Sequence, residues 1–183
     1  IQHEITSAIA EALKVKLVLR TDAEPLTAGR RDDSPAYHLY LRGLHAWNRR
    51  TGEGFHQAIE LLHQAAGEDP DDAHIQAKLA HCHIGLVLST SAGAKETLGL
   101  AEACCHRALG LAPNLGEALA ALAFVRAVRD WQWEDSESIF LRAVAHAPGD
   151  PTIHEWYAAA CLAPQGRFDS AIANLGPALD LDP

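Results

Sequence analysis

Residues 58–70 read Ala-Ile-Glu-Leu-Leu-His-Gln-Ala-Ala-Gly-Glu-Asp-Pro: small at Ala58 and Ala65, bulky at Leu62 between them, and closed by Pro70. The same spacing returns as Ala101, Cys105, Ala108 and Pro113, as Ser136, Phe140, Ala143 and Pro148, and as Ala171, Leu175, Ala178 and Pro183. Steps of four and three residues keep these side chains on one face of a helix. Small side chains admit a neighbouring helix closely, and the bulky one fills the space that remains. Proline then stops the helix, because it lacks an N–H and crowds the preceding turn. The prolines lie 43, 35 and 35 residues apart. One helical unit is therefore repeated, and a single unit has too little apolar surface to fold alone.

Upstream of each such helix the pattern predicts another. These carry Tyr37-x2-Tyr40-x2-Gly43, Leu79-Ala80-x2-His83, Leu119-x2-Leu122-Ala123 and Ala158-Ala159-x2-Leu162. The spacing predicts helices over 2–19, 35–50, 53–67, 72–89, 95–111, 115–129, 133–147, 152–164 and 168–181. Ser34-Pro35 is a start signal, an N-cap followed by proline at the first helical position. Asp71-Asp72, Asn114 and Gly149-Asp150 suit turns and the next helix start. The second repeat is longer than the others, which predicts an extended first helix and a loop over Ser89–Ala94. Residues 1–34 divide off as a helix and linker, since Arg20–Ser34 lacks periodicity and contains Pro25 and Gly29. Residues 35–183 form the repeat region, in units of about 35–72, 73–115, 116–150 and 151–183.

Composition narrows the function. Hydrophobic residues make up 48% of the chain but aromatics only 6%, which suits close-packed helices rather than sheets. The net charge is −9, and Arg30-Arg31 and Arg49-Arg50 are isolated pairs, so there is no basic stripe for a nucleic-acid backbone. Four cysteines, two of them adjacent, make no disulfide framework and fit a reducing, cytoplasmic setting. Apolar runs such as Ala118–Val125 are far shorter than the ~18 residues a membrane span needs. No signal peptide is visible, and a chain that starts at Ile1 reads as a piece excised from a longer protein.

The repeat spacing resembles that of tetratricopeptide repeats, whose period is about 34 residues. Gln76, Glu155 and Arg42 depart from the first-helix motif of that family, which prefers tryptophan at the first two positions and leucine at the third. Ala36-Tyr-His-Leu-Tyr-Leu-Arg-Gly43, Trp47-Asn-Arg-Arg-Thr51, Asp130-Trp-Gln-Trp133, His154-Glu-Trp-Tyr157 and Gly166-Arg-Phe168 further resemble the tetratricopeptide region of bacterial class III adenylate/guanylate cyclases and winged-helix transcriptional regulators. The resemblance implies an all-α, right-handed α-solenoid of about four helix pairs, preceded by one N-terminal helix. It also implies a protein-interaction or regulatory module within a signalling protein, with no activity of its own. First helices would then line a concave groove. Tyr37, Tyr40, Trp47, His74, His81, Phe124 and Trp156 fall where they would face it and anchor a peptide, or else fill gaps between repeats.

Other chemistry is weakly signalled. His81-Cys82-His83 and Cys104-Cys105-His106 invite a metal, but residues one or two apart on a helix point to different faces, and no Cys-x2-Cys pair exists. No nucleophile elbow, His-Glu-x-x-His or phosphate loop is present, so no enzyme, metal or cofactor is expected. An RNA-binding helical repeat is the competing reading, favoured by the 35-residue spacings and opposed by the charge. A metal-binding fragment is a further alternative. Trp131 and Trp133 should face different sides, one clamping two helices and the other exposed. Pro177 should distort the last helix near Asn174–Pro177. Ile1, Ile5, Ala8, Ile9, Ala12, Leu13 and Leu17 form an apolar stripe that must be buried, against the chain's own first repeat, in its own groove or on a neighbouring molecule, the last of which would make a homodimer through this helix.

Overall fold

The computed structural model describes residues 34–90 and 93–181, with side chains through Gly176. The N-terminal helix, its linker and the dimer expected through it lie outside the described residues.

Among the described residues eight α-helices pack in adjacent pairs. They are α1 (Pro35–Trp47) with α2 (Gly52–Glu68), α3 (Ala73–Thr90) with α4 (Ala94–Leu111), α5 (Gly116–Arg129) with α6 (Trp133–His146), and α7 (Pro151–Trp156) with α8 (Phe168–Leu181). First helices also touch the first helices of the next pair, α3 against α5 and α5 against α7, so they form the inner layer of the array. This is the tetratricopeptide-type arrangement expected from the repeat.

Local chemistry sets the helix ends. Ser34 Oγ accepts the Tyr37 N–H at 3.1 Å with Pro35 in the first turn, and Thr51 Oγ1 accepts the Gly54 N–H at 3.0 Å. Asp72 Oδ1 accepts the N–H groups of His74 and Ile75 at 2.8 and 3.3 Å, and Asp150 Oδ1 that of Thr152 at 2.9 Å. Helices α2, α4 and α6 stop two residues before Pro70, Pro113 and Pro148. The extra length of the second repeat goes mostly into α3, where Ser89 and Thr90 return their hydroxyls to the Leu86 carbonyl.

The repeated stripe is the core. Ala58, Leu62, Ala65, Ala101, Cys105, Ala108, Ser136, Phe140 and Ala143 are all 0% exposed. Ser136 is tolerated there because its hydroxyl donates to the Ala123 carbonyl at 2.7 Å. The approach of α1 to α2 is so close that a Cβ on Gly43 would lie 2.9 Å from Leu62 Cγ. Glu102 and Glu137, each one residue after the first small position of its stripe, accept Arg129 Nη1 and Arg167 Nη1 from the following pair at 2.8 Å. These partly exposed struts fix orientation more than they add stability, at about 0–1 kcal/mol each.

Three backbone features bear on the reading of the pattern. After Trp156 the chain widens into a π-helical turn, Tyr157–Leu162, then tightens into a 3-10 turn, Ala163–Gln165. The α-helix expected over 152–164 thus gives way after Trp156 to a wider and then a tighter turn. Helix α8 continues through Pro177 to Leu181, so the loss of that one N–H does not end it. Finally, among the described residues, the turn inside each pair holds one of positive φ: Arg50, Gly93, Trp131 and Gly166.

The stripe predicts its own test. Ala108→Leu should overpack the contact and lower stability by roughly 1–3 kcal/mol, whereas Ala145→Leu, at an exposed position of α6, should leave the urea midpoint in place. Equal midpoints for the two variants would contradict the register.

Candidate functional site

The inner layer brings together four of the seven residues expected to face a groove. The Trp47 ring (α1) lies 6.3 Å from His81 (α3), His81 lies 4.6 Å from Trp156 (α7), and Trp156 lies 5.0 Å from Phe124 (α5). One continuous aromatic row therefore draws on all four pairs. Its members are buried, His81 to 1% exposure, so the row is also packing between repeats. Tyr40 is buried beside it, within electrostatic reach of Lys78. Tyr37 and His74 are half-buried near the N-terminal ends of α1 and α3, outside the row. Tyr37 instead meets His38, with ring centroids 6.5 Å apart.

Sequence reasoning missed the charged groups in this layer. Lys78 is 7% exposed, with Nζ 4.7 Å above the Trp47 ring and 4.0 Å from Glu117 Oε2. Burial works against its charge, yet Glu117, Tyr40 and Asp150 outweigh burial and raise its pKa above the ordinary lysine value. The Arg50 guanidinium carbon sits 4.2 Å from the Trp47 ring centroid. Lysine on the stripe of a first helix could have flagged the site, but its partners are set by a neighbouring pair.

His81 Nε2 donates to the Glu117 carbonyl at 3.1 Å, which fixes the neutral tautomer and leaves Nδ1 as an acceptor without a hydrogen-bond partner among the described residues. Burial, with Lys78 second, pushes its pKa down to about 4. His83 is turned elsewhere, within electrostatic reach of His63 and Arg107, and burial likewise lowers it to about 4. The His81-Cys82-His83 run is thus split between different surroundings, and among the described residues no three His, Cys, Asp or Glu side chains converge as a metal site would require. All four cysteines are buried free thiols; burial raises Cys82 to about 12 and also raises Cys104, Cys105 and Cys161. Such thiols are poor nucleophiles and poor metal ligands.

Trp131 and Trp133 do not face opposite sides. Their rings pack at 5.5 Å, because Trp131 takes a left-handed backbone conformation, φ 58°, in a turn closed by the Gln132 N–H on the Arg126 carbonyl. Trp133 is half-buried against the core, while Trp131 remains 69% exposed. A separate hollow of about 280 Å³ between α1 and α2 is lined by Leu41, Arg42, His45, Ala46, Gln57 and Leu61. No described helix is long and apolar enough to cross a membrane.

No family profile matches this chain and no curated protein matches its sequence. Among solved structures it is similar to MamA, with TM-score 0.52 and 16% identity over 82% of this chain and 80% of the other. A MamA double mutant (RS-1 ArsTM) gives TM-score 0.51 and 14% identity over 85% and 79%. YrrB, a TPR protein with an unusual peptide-binding site, gives TM-score 0.49 and 20% identity over 83% and 71%. At these identities the MamA likeness concerns the helix-pair fold alone.

The buried histidines carry a pH signature. Both have folded pKa values near 4 against 6.5 in the unfolded chain. Between those values the unfolded chain binds protons that the native one does not, so stability is full above about pH 6.5 and falls on acidification towards 4. The slope is at most about 1.4 kcal/mol per pH unit for each histidine. Urea midpoints measured across this range should show the loss, and His81→Gln should flatten the slope.

Proposed function

We propose that this chain is a non-catalytic protein-interaction module that holds a segment of a partner protein along the inner face of its first helices. The observation that carries the reading is the aromatic row Trp47–His81–Trp156–Phe124, which runs through all four pairs. Tyr37, His74, Glu117 and Asp150 are half-buried at or near the N-terminal ends of four successive first helices. A packed floor flanked by polar groups suits an extended or helical segment, with aromatic side chains supplying contact area at low entropic cost. The sequence likeness to repeat regions of bacterial cyclases and winged-helix regulators supports a setting inside a signalling protein. There the N-terminal helix would join two copies, which light scattering with and without residues 1–33 would check.

Selection of peptides from a display library against the full chain tests the binding reading. Tyr37→Ala and His74→Ala, both at half-buried positions, should each weaken the selected peptides about tenfold, or roughly 1.4 kcal/mol, without changing the helical circular dichroism. Peptides indifferent to both substitutions would place binding elsewhere. RNA retained on a filter at low salt would favour the nucleic-acid alternative.

A further inference from the structure

Besides the stripe, every second helix repeats two further positions. Three residues before the first small residue stand Phe55, Leu98, Trp133 and Phe168. Phe55 is 5% exposed, Leu98 3%, and Trp133 is half-buried, but Phe168 is 62% exposed. One residue after the small one, Ile59 is half-buried, and Glu102 and Glu137 are engaged by Arg129 and Arg167. Ile172, at the same position of α8, is 69% exposed. The neighbours account for the difference. Helices α2, α4 and α6 each pack against the first helix of the next pair, whereas α8 packs against α7 and the π-helical turn of its own pair. Its far face thus presents an apolar ridge that the other three pairs cover.

The first junction shows how such a ridge is covered. The Phe55 ring sits so close to Gly85 of α3 that a Cβ there would stand 2.6 Å from it. A large ring is seated on a glycine of the facing helix. On α8 the ridge at steps of four reads Phe168, Ile172, Gly176. Among the described residues no atom lies within 4 Å of where a Cβ on Gly176 would stand. The ridge is therefore its own complement. Two α8 helices crossing antiparallel at Ile172 bring each Phe168 onto the other's Gly176, since both lie four residues from the centre. We infer that the uncovered face of α8 pairs with the same face of a second copy, the two Ile172 side chains meeting on the twofold axis. Residues 170–176 carry no charge, so two chains of net charge −9 meet there without opposing like charges. A head-to-tail stack is disfavoured, because it would set the ridge against α1, which exposes His38, Arg42 and His45 around Leu41. One helix face from each copy is a small interface, so the pairing is weak and depends on concentration. It is independent of peptide binding and of any pairing through residues 1–33.

Cysteine crosslinking of the full chain tests both the contact and its geometry. The four native cysteines are buried, so an introduced surface thiol is the one that reacts. Under mild oxidation Ile172→Cys should give a disulfide-linked dimer, because the two positions meet on the axis. Leu141→Cys, at a 54% exposed position of α6, should not. Phe168→Cys mixed with Gly176→Cys should crosslink, and each alone should not. Light scattering should show a mass that rises with concentration, and Ile172→Glu should move that rise to concentrations about tenfold higher or more. Position 172 is exposed, so the helical circular dichroism should stay unchanged. No Ile172→Cys dimer, or one formed no faster than through Leu141→Cys, overturns the pairing and leaves the ridge to another occupant. A rise in mass that Ile172→Glu leaves in place, or no rise at all, overturns it equally. Crosslinking of Phe168→Cys with itself in preference to Gly176→Cys overturns the antiparallel crossing.

Discussion

The structure depends on how closely the helices of each pair approach. Alanine, glycine or serine at the crossing lets two backbones come near enough for one bulky side chain, Leu62, Cys105 or Phe140, to close the gap completely. Everything outside this contact follows from it. The pairs repeat because the stripe repeats. The first helices form an inner layer because the second helices are held outside by the same spacing. The aromatic and charged groups of α1, α3, α5 and α7 meet because that layer is narrow.

The inner layer is where the chain departs from an apolar optimum. A lysine 4.0 Å from a carboxylate, and a neutral histidine whose second ring nitrogen has no hydrogen-bond partner among the described residues, are expensive to bury. The crossing stripe shows how little polarity the interior otherwise accepts, since its one hydroxyl, on Ser136, is satisfied by a backbone carbonyl. Polar groups gather where first helices meet, and where first and second helices meet they are paired, as Gln76 is with Arg107.

The helix pairs were legible in the sequence because their cause is local: small, bulky and small residues at steps of four and three, bracketed by Ser34, Asp72, Asp150 and the prolines. The residues expected to face a groove were only partly legible. Trp47, His81, Phe124 and Trp156 do converge, while Tyr37 and His74 stand apart near the helix starts. The Lys78–Glu117 pairing could not be read, since it joins residues of different repeats whose meeting depends on how the pairs stack. The π-helical turn after Trp156 and the left-handed Trp131 were hidden for a related reason: both are backbone adjustments to packing, and the sequence pattern assumes regular backbone.

The contact between His81 and Trp156 has a consequence for how the molecule comes apart. His81 belongs to the second pair and Trp156 to the fourth, yet their rings lie 4.6 Å apart. In an ideal linear array each unit touches only its neighbours, so ends can peel away one unit at a time. Here a contact leaps over the third pair, and releasing the last pair strips cover from the second. The last pair should therefore peel away less readily than the end unit of an ideal array, because its release uncovers a side chain two pairs away.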